Sequence, residues 1–187
     1  MHALDVLHQR VSSPKLTEPA PNDVQRDAIY RAALRAADHG LMQPWRFLVI
    51  EGEGLDRLGD LFVQATLKDA PDTPEPDQQS LRAKPRRAPL ILVAIAACRQ
   101  NPKVPHVEQL ISAGAAVQNM LNAAFAQGVG AFWRTGAMTY HPVVKEGLGV
   151  GELEQIVGFL YLGTPAKSPQ PPKPVNPETF FHPWPSQ

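Results

Sequence analysis

The chain reads as an α+β protein in which helices sandwich a sheet of four or five strands, and three observations predict this. PLILVAIAAC is a continuous apolar run of strand length, which implies a strand buried on both faces. EQLISAGAAVQNMLNAAFAQ, from about Glu108 to Gln127, is apolar nearly all the way round, as a buried helix is. Helical patterns lie between the strand patterns without regular strand-helix alternation, which points to an α+β layout.

The elements follow in chain order. Leu4, Val6 and Leu7, with Arg10 after them, predict a short helix that ends before Pro14, since proline disfavours helical geometry in the residue ahead of it. After the turn EPAP, Asn22 or Asp23 can cap a second helix, DVQRDAIYRAALRAADHG. Its Val24, Ala28, Ile29, Ala32, Ala33 and Ala36 recur at helical spacing, and Gly40 is its expected stop. WRFLVIEG is a strand, GLDRLGDLFVQATLKDA an amphipathic helix, and PDTPEPDQQS a polar, proline-rich loop. The apolar strand and the long helix come next. The alanines and glycines of that helix allow close helix-to-helix approach and suit a dimer interface. GVGAFWRTGAMT reads as a strand and turn punctuated by glycine, HPVVKEGLG as a short helix, and IVGFLYLGTP as a last buried strand. Beyond it the composition changes: eight of the twenty prolines fall between Pro165 and Pro185, so residues 166–187 are expected to form an extended arm after a domain of residues 1–165. Phe180, Phe181 and Trp184 favour an arm draped over a partner subunit, because aromatics bury large areas.

Bulk composition excludes several roles. The 187 residues are 43% hydrophobic, enough for one domain with a core. Lys plus Arg equals Asp plus Glu at 18 each, so there is no electrostatic footprint for nucleic acid. No run approaches the roughly 18 apolar residues a membrane helix needs, and MHALDVLHQR lacks a secretory layout, so a soluble cytoplasmic protein is expected. Cys98 has no disulfide partner and sits in the apolar run, where it reads as a small buried hydrophobe. VIEGEGLDRLG imitates a dinucleotide fingerprint, but Arg57 stands where the third glycine belongs and Glu51 and Glu53 would oppose a pyrophosphate, so it reads as a strand-to-helix turn. The six histidines show no ligand spacing, and no metal is expected.

Four stretches remain. They are Arg10, Val11 and Ser12; Arg35 to His39 with Gln43, Pro44 and Trp45; the end of the long helix, AAFAQGVG; and Trp133, Arg134 and Thr135. Together they offer cations, hydroxyls and aromatic surface, which suit an anionic, planar ligand with a phosphate end. At these residues, and from ALDVLHQRVS through MQPWRFLVIEGEG and WRTGAMT to IVGFLYLGTP, the chain resembles the nitroreductase family of FMN-dependent oxidoreductases, in particular its short bacterial NAD(P)H branch.

The resemblance implies a nitroreductase-like fold with a mostly antiparallel sheet and an arm crossing to the partner. It also implies a homodimer with FMN at the subunit interface. Arg10, Val11 and Ser12 match the motif that contacts the flavin's phosphate and ribityl end. Arg35, His39 and the triplet Trp133, Arg134 and Thr135 match residues that reach the flavin from the partner chain, and Ala123 to Gly128 matches a segment that takes the nicotinamide nucleotide. The implied activity is hydride transfer from NADH or NADPH through flavin N5 to nitroaromatics or quinones, in ping-pong turnover. The chemistry belongs to the flavin, so no protein nucleophile is needed. A flavin-binding protein that stores or senses FMN is the alternative. The chain departs from the family twice. Ser13 and Pro14 intervene before Lys15, where many members carry a cation sooner, and Leu41 stands where many have an asparagine.

Overall fold

The computed structural model describes residues 2–184. Five strands run β1 (Leu16–Thr17), β2 (Arg46–Glu51), β3 (Leu90–Ala96), β4 (Gly130–Arg134) and β5 (Gln155–Pro165). All pairings are antiparallel: β5 is the hub, with β3 and β4 along it, β1 at its far end, and β2 beyond β3. The expected α+β architecture, a mostly antiparallel sheet of four or five strands between helices, is what is observed.

Seven helices cover the sheet: α1 (Ala3–Gln9), α2 (Asp23–Ala33), α3 (Glu53–Asp69), α4 (Glu75–Arg82), α5 (His106–Ala126), α6 (Ala137–Tyr140) and α7 (Pro142–Gly147). Strand β3 shows why two layers form. Every one of its residues is buried, and alternation sends Leu90, Leu92 and Ala94 to a cluster with α2 and α5, and Ile91, Val93 and Ile95 to a cluster with α3 and α7. Opposite Ala94 and Ile95 the register slips by one residue, leaving Val157 of β5 unpaired in a bulge. The Trp133 indole takes up the freed Val157 carbonyl at 3.2 Å.

Two expectations are corrected. The second helix stops at Ala33, well short of Gly40. The Ala32 carbonyl there accepts from the Asn119 side-chain amide of α5, and the chain turns away toward a short 3-10 turn, His39–Leu41. PDTPEPDQQS is not a free loop, because Glu75–Arg82 is helical with Pro76 in its first turn, where the missing N–H costs nothing. This helix is latched onto α3 by the ion pair Arg82–Asp60 at 2.7 Å, and the 3-10 turn after it, Pro85–Arg87, by Arg86–Asp56 at 2.5 Å. The contact is so close that a Cβ on Gly59 would lie 2.2 Å from the Arg82 carbonyl oxygen.

Among the described residues from Ala166 to Trp184 no helix or strand forms apart from a 3-10 turn, Pro177–Thr179, and Phe180, Phe181 and Trp184 are 68%, 78% and 93% exposed; residues 185–187 of the expected arm lie outside the described residues. The long helix also differs from a fully buried one. One face carries Ala113, Ala116, Val117, Met120 and Leu121 into the core, while Val107 and Ile111 are exposed. Leu34 and Leu41, on elements beside α5, and Leu4 and Leu7 of α1, which packs on it, are exposed too. Among the described residues no helix is long and apolar enough to cross a membrane.

Candidate functional site

Where α1 ends at Arg10, the chain enters a loop that three hydrogen bonds hold in place. The Ser13 N–H donates to the Ala131 carbonyl at 2.9 Å, the Ala166 N–H to the Lys15 carbonyl at 3.1 Å, and the Arg134 guanidinium to the Pro14 carbonyl at 3.3 Å. Residues from β4, from the end of β5 and from the first helix therefore meet at one place. The loop, Val11 to Lys15, forms one wall of a cavity of about 550 Å³, and Lys167 to Gln170 form the other. The lining carries two ammonium groups, Lys15 and Lys167, and the hydroxyls of Ser12, Ser13 and Ser168. A smaller cavity adjoins it, sharing Val11, Ser13 and Pro169 and reaching Phe125 and Gly128 at the end of α5, and the exposed lining of both is mostly apolar.

Arg134 stands behind this loop. Its guanidinium carbon lies 4.2 Å from the Phe132 ring centre and 5.2 Å from that of Tyr161, so aromatic faces fix its plane. Its Nε is buried without a hydrogen-bond partner among the described residues. A buried donor left unmet costs roughly 1–3 kcal/mol, which fits a cation held ready for an anion. Beside it, burial pushes the Tyr161 phenol up, and the Arg134 and Arg87 cations pull it partly back.

The pairing of the other arginines sharpens this point. Arg26, Arg31, Arg46, Arg57, Arg82 and Arg86 each lie against a carboxylate. Arg10, Arg35, Arg87, Arg99 and Arg134 have no acidic partner among the described residues, and three of these five, Arg10, Arg35 and Arg134, are ones the sequence singles out. Arg134 is bonded to the loop that walls the cavity and Arg10 precedes that loop, and a guanidinium without a carboxylate partner there suits a phosphorylated ligand.

The remaining expected residues lie elsewhere. Arg35 is exposed just past the end of α2, and His39 is exposed beside the first turn of α5, its Nδ1 2.5 Å from Glu108 Oε2. Val11 and Ser13 adjoin Leu121 and Phe125, so His39 is separated from this loop by about 20 Å of helix at 1.5 Å per residue. Trp133 spends its only N–H on Val157 and packs on the core, leaving ring surface alone for a ligand. Thr135 is exposed just past β4. Cys98 is buried, and burial raises its thiol, as a small hydrophobe's would be. Gly52 is a positive-φ turn residue before α3, consistent with the strand-to-helix reading of VIEGEGLDRLG.

Sequence reasoning missed Lys167 and Ser168, which stand at the start of a proline-rich arm that has no periodic pattern to mark them. It also missed Gln109. This amide is 1% exposed and fully used: Oε1 accepts the Arg99 N–H at 2.9 Å, and Nε2 donates to the Arg99 and Val104 carbonyls at 2.9 and 3.1 Å. It ties the loop after β3 to the first turns of α5. Gln109→Leu is expected to destabilise the protein by about 1–3 kcal/mol, seen in calorimetry as a fall in Tm of roughly 3–10 °C; an unchanged Tm would refute that role.

Comparison with known proteins places the chain in a family and matches its fold. A family model described as the nitroreductase family matches residues 7–164. YdjA of Escherichia coli strain K12, provisionally named an NAD(P)H nitroreductase, is 50% identical over 165 residues, covering 88% of this chain and 89% of that protein. A nitroreductase-like family protein from Bacillus cereus superposes with a TM-score of 0.83 at 22% identity, over 97% of this chain and 95% of that one. A structure from Desulfovibrio desulfuricans, provisionally named a nitroreductase and solved in complex with FMN, gives a TM-score of 0.72 at 25% identity, over 98% of both chains.

Proposed function

The chain belongs to the nitroreductase family, and on that premise we propose that it is an FMN-dependent oxidoreductase. It passes hydride from NADH or NADPH to electron-poor acceptors such as nitroaromatics or quinones, in ping-pong turnover in the cytoplasm. When bound, FMN would supply the two-electron redox chemistry between the nicotinamide and the acceptor. Everything else falls to the protein's own residues.

The observation that carries this reading is the cavity between Val11–Lys15 and Lys167–Gln170, a mostly apolar hollow that also presents Lys15, Lys167 and the serines, backed by the partly unsatisfied Arg134. In our assignment Arg10, Ser12, Lys15 and Lys167 hold the phosphate and ribityl end. Arg134, which touches the loop of its own chain, belongs to that same half of the site and not to the partner's share. Val11 and the Trp133 ring supply wall. Thr135 caps the edge next to Arg134, and the apolar cavity at Phe125 and Gly128 receives the nicotinamide nucleotide.

A second copy completes the site. His39 lies at the opposite end of α5 from the phosphate cavity, so one protomer does not bring it to a flavin held there. A two-fold pairing through the exposed Val107 and Ile111 face sets the N-terminal half of one α5 beside the C-terminal half of the other. Arg35 and His39 of the partner subunit then meet the flavin held by Arg10 and Ser12. The arm, residues 166–187, continues across the partner, where Phe180, Phe181 and Trp184 lose their exposure.

The test is an absorbance spectrum of the purified protein followed by anaerobic NADH or NADPH. A bound flavin band that bleaches within seconds is expected. A yellow protein reduced no faster than free flavin would favour the storage or sensing role, and a protein that stays colourless after addition and dialysis of FMN would overturn both.

A further inference from the structure

We propose that Glu108 is a positioning residue that sets the tautomer and outward orientation of His39, so that this ring offers Nε2 to the ligand held by the other copy. The proposal deepens the FMN reading and rests on it.

The pair joins residues 69 positions apart, His39 Nδ1 to Glu108 Oε2 at 2.5 Å. A carboxylate only accepts hydrogen bonds, so the short contact puts the proton on Nδ1 and leaves Nε2 facing away. Both side chains are partly open, 56% exposed for His39 and 42% for Glu108. Exposed pairs contribute little to stability, so stabilising the fold does not account for the care with which this one is held.

That care is visible on both sides. Glu108 lies in the first turn of α5, whose N-cap, Pro105, provides no side-chain cap, so a carboxylate there is favoured by the unpaired N–H groups. The buried Gln109 locks that turn to the preceding loop. On the other side, His39 begins a corner with positive φ at Gly40, Leu41 and Gln43, of 70°, 53° and 48°. Such a backbone persists only where its surroundings fix it. Here the Asp38 carboxylate accepts the Gln43 N–H at 2.5 Å, the Arg99 guanidinium donates to the Met42 carbonyl, and the Ala97 N–H donates to the Pro44 carbonyl at 3.1 Å. Backbone tethers fix where His39 starts, and Glu108 fixes where its ring ends. Partners of this kind, which orient a ligand-binding imidazole and choose its tautomer, act through the group they hold.

The experiment combines ¹⁵N spectra of the histidine rings in FMN-free protein with FMN dissociation constants from fluorescence. In the wild type, the His39 proton is expected on Nδ1. Glu108→Ala is expected to move it to Nε2 and to weaken FMN binding about three- to tenfold, the size of one hydrogen bond. Glu108→Gln, whose amide oxygen still accepts, is expected to restore most of both. In a His39→Ala background, Glu108→Ala should change FMN affinity no further. An unchanged tautomer in Glu108→Ala, or an equal loss of affinity with and without His39, would overturn the proposal. If the wild type failed to bind FMN, the flavin reading would fall, whereas the tautomer shift in FMN-free protein would still decide what Glu108 does.

Discussion

Replacing Arg134 by alanine is expected to weaken FMN binding about ten- to a hundredfold, the loss of a charge-assisted bond of roughly 1.5–3 kcal/mol. The size follows from how the side chain is prepared. The Phe132 and Tyr161 rings hold the guanidinium plane, one donor is spent on the Pro14 carbonyl, and the buried Nε has no protein partner. Little rotamer freedom remains to be lost when an anion arrives, so more of the bond's strength appears as affinity. Arg134→Lys keeps the charge but loses the planar, stacked fork, and is expected to recover only part of the binding. Arg10→Ala should cost a comparable factor through the same anion. Fluorescence titration measures all three, and unchanged affinity in both alanine variants would remove the phosphate assignment.

Gly158→Ala is expected to destabilise the protein by about 2–4 kcal/mol, through overpacking and the loss of one hydrogen bond. An added Cβ would lie 2.2 Å from Trp133 Nε1, 2.6 Å from its Cδ1 and 2.9 Å from the Arg134 carbonyl oxygen. The indole is tethered, because its N–H is bonded to the Val157 carbonyl in the bulge. Either the β4–β5 ladder opens or the indole leaves its place, and Arg134, the next residue, shifts with it. A fall in Tm of roughly 5–15 °C should therefore be accompanied by weaker FMN binding. Adding Trp133→Phe to Gly158→Ala should restore part of the stability, because the smaller ring vacates the space. A Gly158→Ala protein as stable as the wild type would show that this contact does not fix β4.

The sequence revealed most of what is decided locally. PLILVAIAAC could only be a strand covered on both faces, and β3 is buried throughout. Alternation alone could not show that Val157 is an extra residue, because the bulge depends on how β5 registers against β3. The second helix looked longer than it is because ALRAADHG contains no strong breaker before Gly40. A side chain from α5, Asn119, takes up a carbonyl at its end, which no local pattern records. In PDTPEPDQQS the prolines suggested a loop, although Pro76 falls where helices accept it.

The site divides in the same way. Arg10, Val11 and Ser12 follow one helix end and could be read directly. Lys167 meets Lys15 only because β5 returns to pair with β1, and Glu108 meets His39 only because α2 and the corner run back along α5. Contacts across such distances in the chain are set by topology, not by neighbouring residues. Lys15, displaced by Ser13 and Pro14 from the family's usual position, still lines the cavity wall.

The most direct test is a crystal structure of the protein grown with excess FMN. The account predicts a dimer paired through α5 with two flavins, each phosphate lying against Ser12, Lys15 and Lys167 of one protomer and each ring within reach of His39 of the partner subunit. A flavin enclosed by one protomer alone, or a phosphate far from Arg10 and Arg134, would contradict it.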